Sequence, residues 1–311
     1  MTSTAAGRYA PSPSGDLHIG NLRTATLAWL FARLSGRRCV LRIEDIDTER
    51  SSMESAYRQI EDLEVLGLTF DGEVLFQSDR FAAYQEALDT LSTRGLIYEC
   101  YCSRKEIREA ASAPHVPHGM YPGTCRALSD EQRAQRRAEL SAQGRVPALR
   151  LRAEVDTWTV HDEFAGEITS RIDDVIVKRG GNQNQSHDWA YNLAVVVDDG
   201  FQHVDQVVRG DDLLMQAPAQ GYLAHVLGLP QVTYAHVPLV LNSEGQRLAK
   251  RDGAVTLREL CEDQGAGVGA VIEWIGASVG VPGAQSMQEV ADRFSLDSFP
   301  RRPVTWSGVD S

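Results

Sequence analysis

The sequence predicts an α/β fold in which an open sheet is interrupted by an inserted module, and three observations carry that expectation. Residues 7–101 alternate short apolar runs with stretches of helical spacing, in the order β, α, β, α, α, β. From Cys102 to about Asp156 that rhythm gives way to prolines at 114, 117 and 122, histidines at 115 and 118 and a run of arginines. Strand-like apolar segments then return at 193–197, 203–208 and 236–241, around a helix at 216–227. At 311 residues the chain can bury about 75% of the surface its unfolded form exposes, room for two domains or one with an insertion.

Each element has a local reason. The stretch 7–14 carries Pro11 and Pro13 after a short apolar start, so it reads as a strand end running into a stiff loop. A largely buried helix follows at 21–34, because Leu22, Ala25, Leu27, Trp29, Leu30 and Phe31 leave almost no polar face, and Gly36 stops it. Residues 38–43 form a strand. The segment 51–66 opens on a capping-box pattern, Ser51 to Glu54, and places Met53, Ala56, Ile60 and Leu63 on one face. Phe81, Tyr84, Leu88 and Leu91 repeat the logic over 81–94, and Gly95 ends that helix before a strand at 96–101. From Thr256 onward the chain reads as helical and closes in a polar tail.

Composition removes several classes of function. With 43 acidic against 31 basic side chains the net charge is -12, which argues against a non-specific nucleic-acid coat or a binder of anionic membranes. No run of eighteen apolar residues occurs and the N-terminus is small and polar, so a cytoplasmic protein with no membrane partner is expected. Of the five cysteines, Cys100 and Cys102 stand too close for a disulfide framework, which points to a reducing compartment and to metal. Cys39 and Cys261 sit in apolar segments and read as inert.

Two motifs carry the chemistry. The first βα junction, Arg8-Tyr9-Ala10-Pro11-Ser12-Pro13-Ser14-Gly15-Asp16-Leu17-His18-Ile19-Gly20-Asn21, puts a His and a Gly at the start of a buried helix. Free backbone N–H groups and the positive helix end favour phosphate there, and Gly20 permits close approach. Alone, His18 is more often a capping or core histidine. The second motif, Arg247-Leu248-Ala249-Lys250-Arg251, places three cations where they can reach a triphosphate, although such clusters alone are usually solvated surface.

Together the two motifs resemble the signatures of class I aminoacyl-tRNA synthetases. With Arg42-Ile43-Glu44-Asp45-Ile46-Asp47 and Leu193-Ala194-Val195-Val196-Val197-Asp198-Asp199, residues 7–255 are similar to the glutamyl-tRNA synthetase family. The chain past Lys250 is too short for helical anticodon-binding domains, so the resemblance is to the shortened branch that acts on queuosine-containing tRNA(Asp).

That resemblance implies a Rossmann-type nucleotide-binding domain in two halves (1–98 and 186–241), a zinc-containing, acceptor-binding insertion (99–185) and a short helical C-terminal part (242–311). The implied reaction is activation of L-glutamate by ATP to glutamyl-adenylate, then transfer to the queuosine base in the anticodon of tRNA(Asp). A truncated enzyme charging the 3′ end of tRNA(Glu) and a catalytically lapsed RNA-binding module are the alternatives. A monomer is expected.

By the same resemblance Arg8, Tyr9, Ala10, Pro11, Ser12, Tyr191 and Arg209 form the pocket for the glutamate side chain, and Glu44 takes its ammonium. An Arg fork suits a carboxylate and rejects the amide of glutamine, whereas the bland reading of Arg209 is an ion pair with Asp211 or Asp212. Asp45 and Asp47, beside Glu44, read otherwise as a metal site or a turn. His18, Gly20, Asn21 and Lys250 bind ATP, which brings Mg2+, and His18 and Lys250 serve catalysis. The family's Lys-Met-Ser-Lys-Ser is Arg-Leu-Ala-Lys-Arg here, so hydroxyl contacts are lost.

Cys100, Cys102 and Cys125 supply three thiolates for one structural zinc. His115 and His118 are chemically natural fourth ligands, while the pattern of the shortened branch points to Tyr121. For RNA, the arginines over 126–152 with Lys178 and Arg179 form a local positive face, or else the solvated side of a helix.

Overall fold

The computed structural model describes residues 4–103, 105–107, 120–182, 189–248, 255–262 and 267–308. The chain enters on β1 (Ala6–Tyr9), which is buried along its whole length. It turns into α1 (Ile19–Leu34), buried on most faces as its apolar sequence requires. Gly36, at φ 66°, makes the left-handed turn out of α1 that a side chain would resist. The chain then runs into β2 (Arg38–Ile43), parallel to β1. α2 (Met53–Val65) is capped by Ser52, whose Oγ accepts from Ser55 N, so the cap lies one residue beyond the expected Ser51. A two-residue strand, β3 (Leu75–Phe76), pairs parallel with β2 and was too short for any periodicity to reveal. α3 (Phe81–Thr93) and β4 (Ile97–Cys100) complete this part.

The inserted region contains α4 (Asp130–Ala142), β5 (Arg145–Val146) and β6 (Ala148–Leu151). Next come β7 (Thr157–Asp162), β8 (Gly166–Arg171), β9 (Ile176–Lys178) and β10 (Gly181–Asn182). β4, β6 and β9 form their own antiparallel sheet, and β5 pairs with β10. The hairpin β7–β8 does something else: it leaves the insertion and joins the main sheet. The middle of the segment 99–185 thus lies against the main sheet, where β7 pairs with β12.

The second half supplies α5 (Tyr191–Phe201), β11 (Val204–Gly210), α6 (Ala217–Val226), β12 (Thr233–Val237) and β13 (Val240–Leu241). The main sheet reads β3-β2-β1-β11-β12-β7-β8, parallel until the last, antiparallel pair. The expected strand at 193–197 is helix α5 instead. A short apolar run is ambiguous between a buried strand and a buried helix, and here Leu193 to Val196 pack against α3 and α6 over the sheet. The expected strand 236–241 is split at Pro238 into β12 and β13, since proline donates no ladder hydrogen bond.

α7 (Leu257–Glu262), α8 (Val268–Ser278) and α9 (Met287–Arg293) follow, and the expected polar tail ends in β14 (Val304–Thr305), parallel to β13. Phe299 is buried and Trp306 meets Trp274 edge-on at 4.8 Å, so this end is packed rather than loose. α1 lies between the sheet and α8–α9, in one apolar cluster with Ile275, Val279, Phe294 and Phe299. The other face of the sheet is covered by α3, α5 and α6.

Arg23 ties these layers together. Fully buried on α1, it donates to Pro238 O at 2.6 Å, to Ser278 Oγ at 3.1 Å and to Ser278 O at 3.4 Å, and burial lowers its pKa to about 10. Arg23→Met should leave those buried acceptors unpaired and cost about 3 kcal/mol in urea unfolding. Trp274 and Trp306 fluorescence should report the loosening of the C-terminal helices.

Candidate active site

The carboxyl ends of β1, β2 and β11 and the amino ends of α1 and α5 converge on one cavity of about 410 Å3. Open α/β sheets bind ligands at this position. Arg8 through Ser12, Glu44, Tyr191 and Arg209 line it, and so do His18, Gly20, Asn21, Arg247 and Leu248. Glu44 N donates to Pro11 O at 2.8 Å, so the proline-stiffened loop is pinned to the end of β2. Lys250, His115 and His118 lie outside the described residues.

His18 is both cap and wall. Its Nδ1 accepts from Gly20 N at 3.1 Å and Asn21 N at 3.3 Å, while Asn21 Oδ1 accepts from His18 N at 3.3 Å. An accepting Nδ1 puts the neutral ring's proton on Nε2. Gly20 suits this cap, because a Cβ there would stand 3.0 Å from His18 Cε1 and press on the ring. Arg247 pairs with Asp212 at the cavity wall.

At the other charged group, sequence reasoning missed two members. Asp199 Oδ1 accepts from Arg42 at 2.8 Å and from Arg8 Nε at 3.4 Å, and Arg42 also reaches Glu44 at 3.2 Å. Burial works against the charge of Arg42, but Asp199, Glu44 and Asp198 outweigh it and raise its pKa. Burial also opposes ionisation of Asp199, and Arg42 and Arg8 overcome it, so its pKa is lowered. For Glu44 burial wins over Arg42 and Arg8 and the pKa rises. A ligand ammonium beside Glu44 would restore the balance. The only sequence signal for Asp199 is two acidic residues closing the apolar run 193–197.

Arg209 differs from Arg8 in its company. It makes no pair with Asp211 or Asp212; it donates to His236 Nε2 at 3.0 Å, Gln220 Oε1 at 2.7 Å and Leu213 O at 3.3 Å. Gln220 in turn donates to Asn192, and His236 Nδ1 lies 2.7 Å from Asp162 Oδ2. Asp45, by contrast, accepts from Ser78 N and Oγ, so it serves a turn rather than a metal.

The sulfurs of Cys100, Cys102 and Cys125 lie within 4.8 Å of one another, and those of Cys102 and Cys125 are 3.5 Å apart. A tetrahedral zinc with ordinary bond lengths spaces its sulfurs by about 3.8 Å, so this set fits a metal. Tyr121 is the fourth neighbour: its oxygen is 3.5 Å from Cys100 Sγ and accepts from Cys125 N at 2.8 Å. Hydrogen bonds from Cys102, Cys125 and Tyr121 push the Cys100 thiol down, while Cys100 and Cys125 push Cys102 up. Arg150 stacks on the Tyr121 ring at 3.6 Å.

The arginine-rich stretch is mostly paired. Arg126 binds Asp174, Arg133 binds Asp130, Arg136 binds Glu139 and Arg137 binds Glu99.

Residues 5–292 match the family described as tRNA synthetases class I (E and Q), catalytic domain, and this chain belongs to it, which makes it a ligase. It is 54% identical over 302 residues to the glutamyl-Q tRNA(Asp) synthetase of Nocardia farcinica, covering 97% of this chain and 93% of that one. It is 44% identical over 303 residues to the glutamyl-Q tRNA(Asp) synthetase of Cutibacterium acnes, covering 96% and 82%. A glutamate tRNA ligase from Elizabethkingia meningosepticum, solved in complex with its amino acid, has the same fold: TM-score 0.79 at 24% identity, over 98% of this chain and 67% of that one.

One pH dependence follows. Burial, with Arg209 adding to it, lowers the His236 pKa against the pull of Asp162. The unfolded chain then takes up this proton first, so stability is full above the unfolded value of about 6.5 and falls as pH drops below it. Urea unfolding at pH 7.5 and 5.5 should show this loss in the wild type, with a slope of at most about 1.4 kcal/mol per pH unit from this group. That component should vanish in His236→Gln.

Proposed function

We propose that this chain activates L-glutamate with ATP as glutamyl-adenylate and passes the glutamyl group to the queuosine base in the anticodon of tRNA(Asp). The observation that carries the reading is a buried Arg209 whose partners are neutral, facing the same cavity as Glu44 and the His18-capped end of α1. A cation without an anion beside it, next to an anion raised by burial, is a template for a dicarboxylate bearing an ammonium group.

Arg209, Arg8, Tyr191 and the loop 9–12 hold the side-chain carboxylate, and Glu44 the ammonium. An oxygen of the α-carboxylate attacks the α-phosphorus of ATP; the new O–P bond forms as the bond to pyrophosphate breaks. No protein nucleophile is needed, so the residues act by position and charge. His18, Gly20 and Asn21 hold phosphates at the helix end, and Lys250 steadies the leaving pyrophosphate. Mg2+ accompanies the ATP. A hydroxyl of the acceptor then attacks the glutamyl carbonyl and AMP leaves.

Cys100, Cys102, Tyr121 and Cys125 would hold one zinc, which braces an insertion with a small core of its own. The halves 1–98 and 186–241 act as the catalytic domain, with 99–185 meeting the acceptor and 242–311 closing the nucleotide side. The names of the two relatives above support the acceptor, and no helix among the described residues is long and apolar enough to cross a membrane. A cytoplasmic monomer fits this work.

Purified protein should move label from pyrophosphate into ATP with glutamate and not with glutamine or aspartate. It should then load glutamate onto tRNA(Asp) carrying queuosine and not onto the same RNA lacking it; loading of the tRNA(Glu) 3′ end instead would refute the acceptor. Arg209→Gln should lower kcat/KM for glutamate by about 100-fold or more. Elemental analysis should find one zinc per chain, and Cys125→Ser should lose it together with several degrees of Tm.

A further inference from the structure

We propose that His236, held by Asp162, is a positioning residue for glutamate selection: a neutral imidazole that orients Arg209 without cancelling its charge. This rests on the reading of Arg209 as the clamp for the side-chain carboxylate. Arg209, His236 and Asp162 are each buried to 5% exposure or less, so water cannot satisfy their polar atoms.

The proton positions follow from which atoms can donate. Arg209 Nε carries an obligate N–H, and its partner 3.0 Å away is His236 Nε2, which must therefore present a lone pair. The ring proton is then on Nδ1, and it is donated to Asp162 Oδ2 at 2.7 Å. Asp162 is itself fixed, because Oδ2 also accepts from His236 N and Oδ1 accepts from Phe164 N and Ala165 N. Only one arrangement of protons satisfies the whole chain of bonds.

The guanidinium has five N–H donors, and His236, Gln220 and Leu213 O each take one. Two remain among the described residues, one on each terminal nitrogen, to donate to a carboxylate. Had a carboxylate stood where His236 stands, Arg209 would be oriented as well but neutralised, as Asp199 neutralises Arg8. The imidazole keeps the anion one ring away. The pairing of β7 with β12 is what brings Asp162 to His236.

The test compares two amides. The oxygen of His236→Gln replaces Nε2 and can still accept from Arg209; the shorter side chain of His236→Asn can replace only Nδ1 and reaches Asp162 alone. In glutamate-dependent pyrophosphate exchange, His236→Asn should raise the KM for glutamate about 20-fold with the KM for ATP within about twofold, and His236→Gln should stay within about threefold of wild type. Histidine 15N NMR of the wild-type protein should show the His236 ring neutral and protonated on Nδ1. Equal effects of the two amides, or a proton on Nε2, would overturn the proposal even where Arg209→Gln raises the glutamate KM. An unchanged glutamate KM in Arg209→Gln would instead remove the clamp reading, and the proposal with it.

Discussion

Two buried arginines on adjacent strands set the terms for the rest of this fold. Arg8 on β1 and Arg42 on β2 are both buried, Arg8 against the cavity and Arg42 behind it, and like charges in a low-dielectric setting repel strongly. Asp199 resolves the conflict by accepting from both, with Glu44 as a second anion on Arg42. Asp199 reaches them from α5, which packs over the sheet beside α3 and α6. On the same helix Asp198 takes Tyr84, Gln77 and Arg80, so one turn of α5 pins α3 and the catalytic end of the sheet at once.

Against that balanced cluster, Arg209 stands out by its imbalance. Desolvating a guanidinium without an anion is costly, and three neutral acceptors only partly offset it. In the function proposed above a ligand carboxylate would complete the set, and the cost would convert into discrimination. Glutamine offers the same length with no charge, so it would leave the cation uncompensated and place an amide N–H against guanidinium donors.

The sequence revealed those parts of the site whose signals are local. Gly36 and the apolar run after it bound β2, and the prolines at 11 and 13 mark the loop, because each acts through its own backbone. Arg8, Glu44, Tyr191 and Arg209 were legible only through resemblance, and the structure gathers all four around one cavity. Arg42 and Asp199 stood within the resembling motifs with no sign of their role, and His236 and Asp162 carried no signal. Their partners come from other strands or from the inserted region, and a buried ion pair between distant segments leaves no periodicity to read. The hairpin β7–β8 was hidden for a related reason: its partner strand β12 lies about 70 residues further along the chain.

The same distinction between paired and unpaired charge bears on the RNA side. Arg150 is buried against Tyr121, so it braces the cysteine module and is not free to meet a phosphate, whereas Arg126, bound to the buried Asp174, keeps 38% of its side chain exposed. Arg133, Arg136 and Arg137 on α4 are also paired, yet they remain 38%, 57% and 59% exposed. Exposed pairs of this kind are worth about 0–1 kcal/mol, so exchanging a carboxylate for a phosphate there costs little. α4 sets Arg133, Arg136 and Arg137 against Asp130, Glu131 and Glu139, so in a chain of net charge -12 any RNA affinity must come from a few local contacts rather than from an overall field.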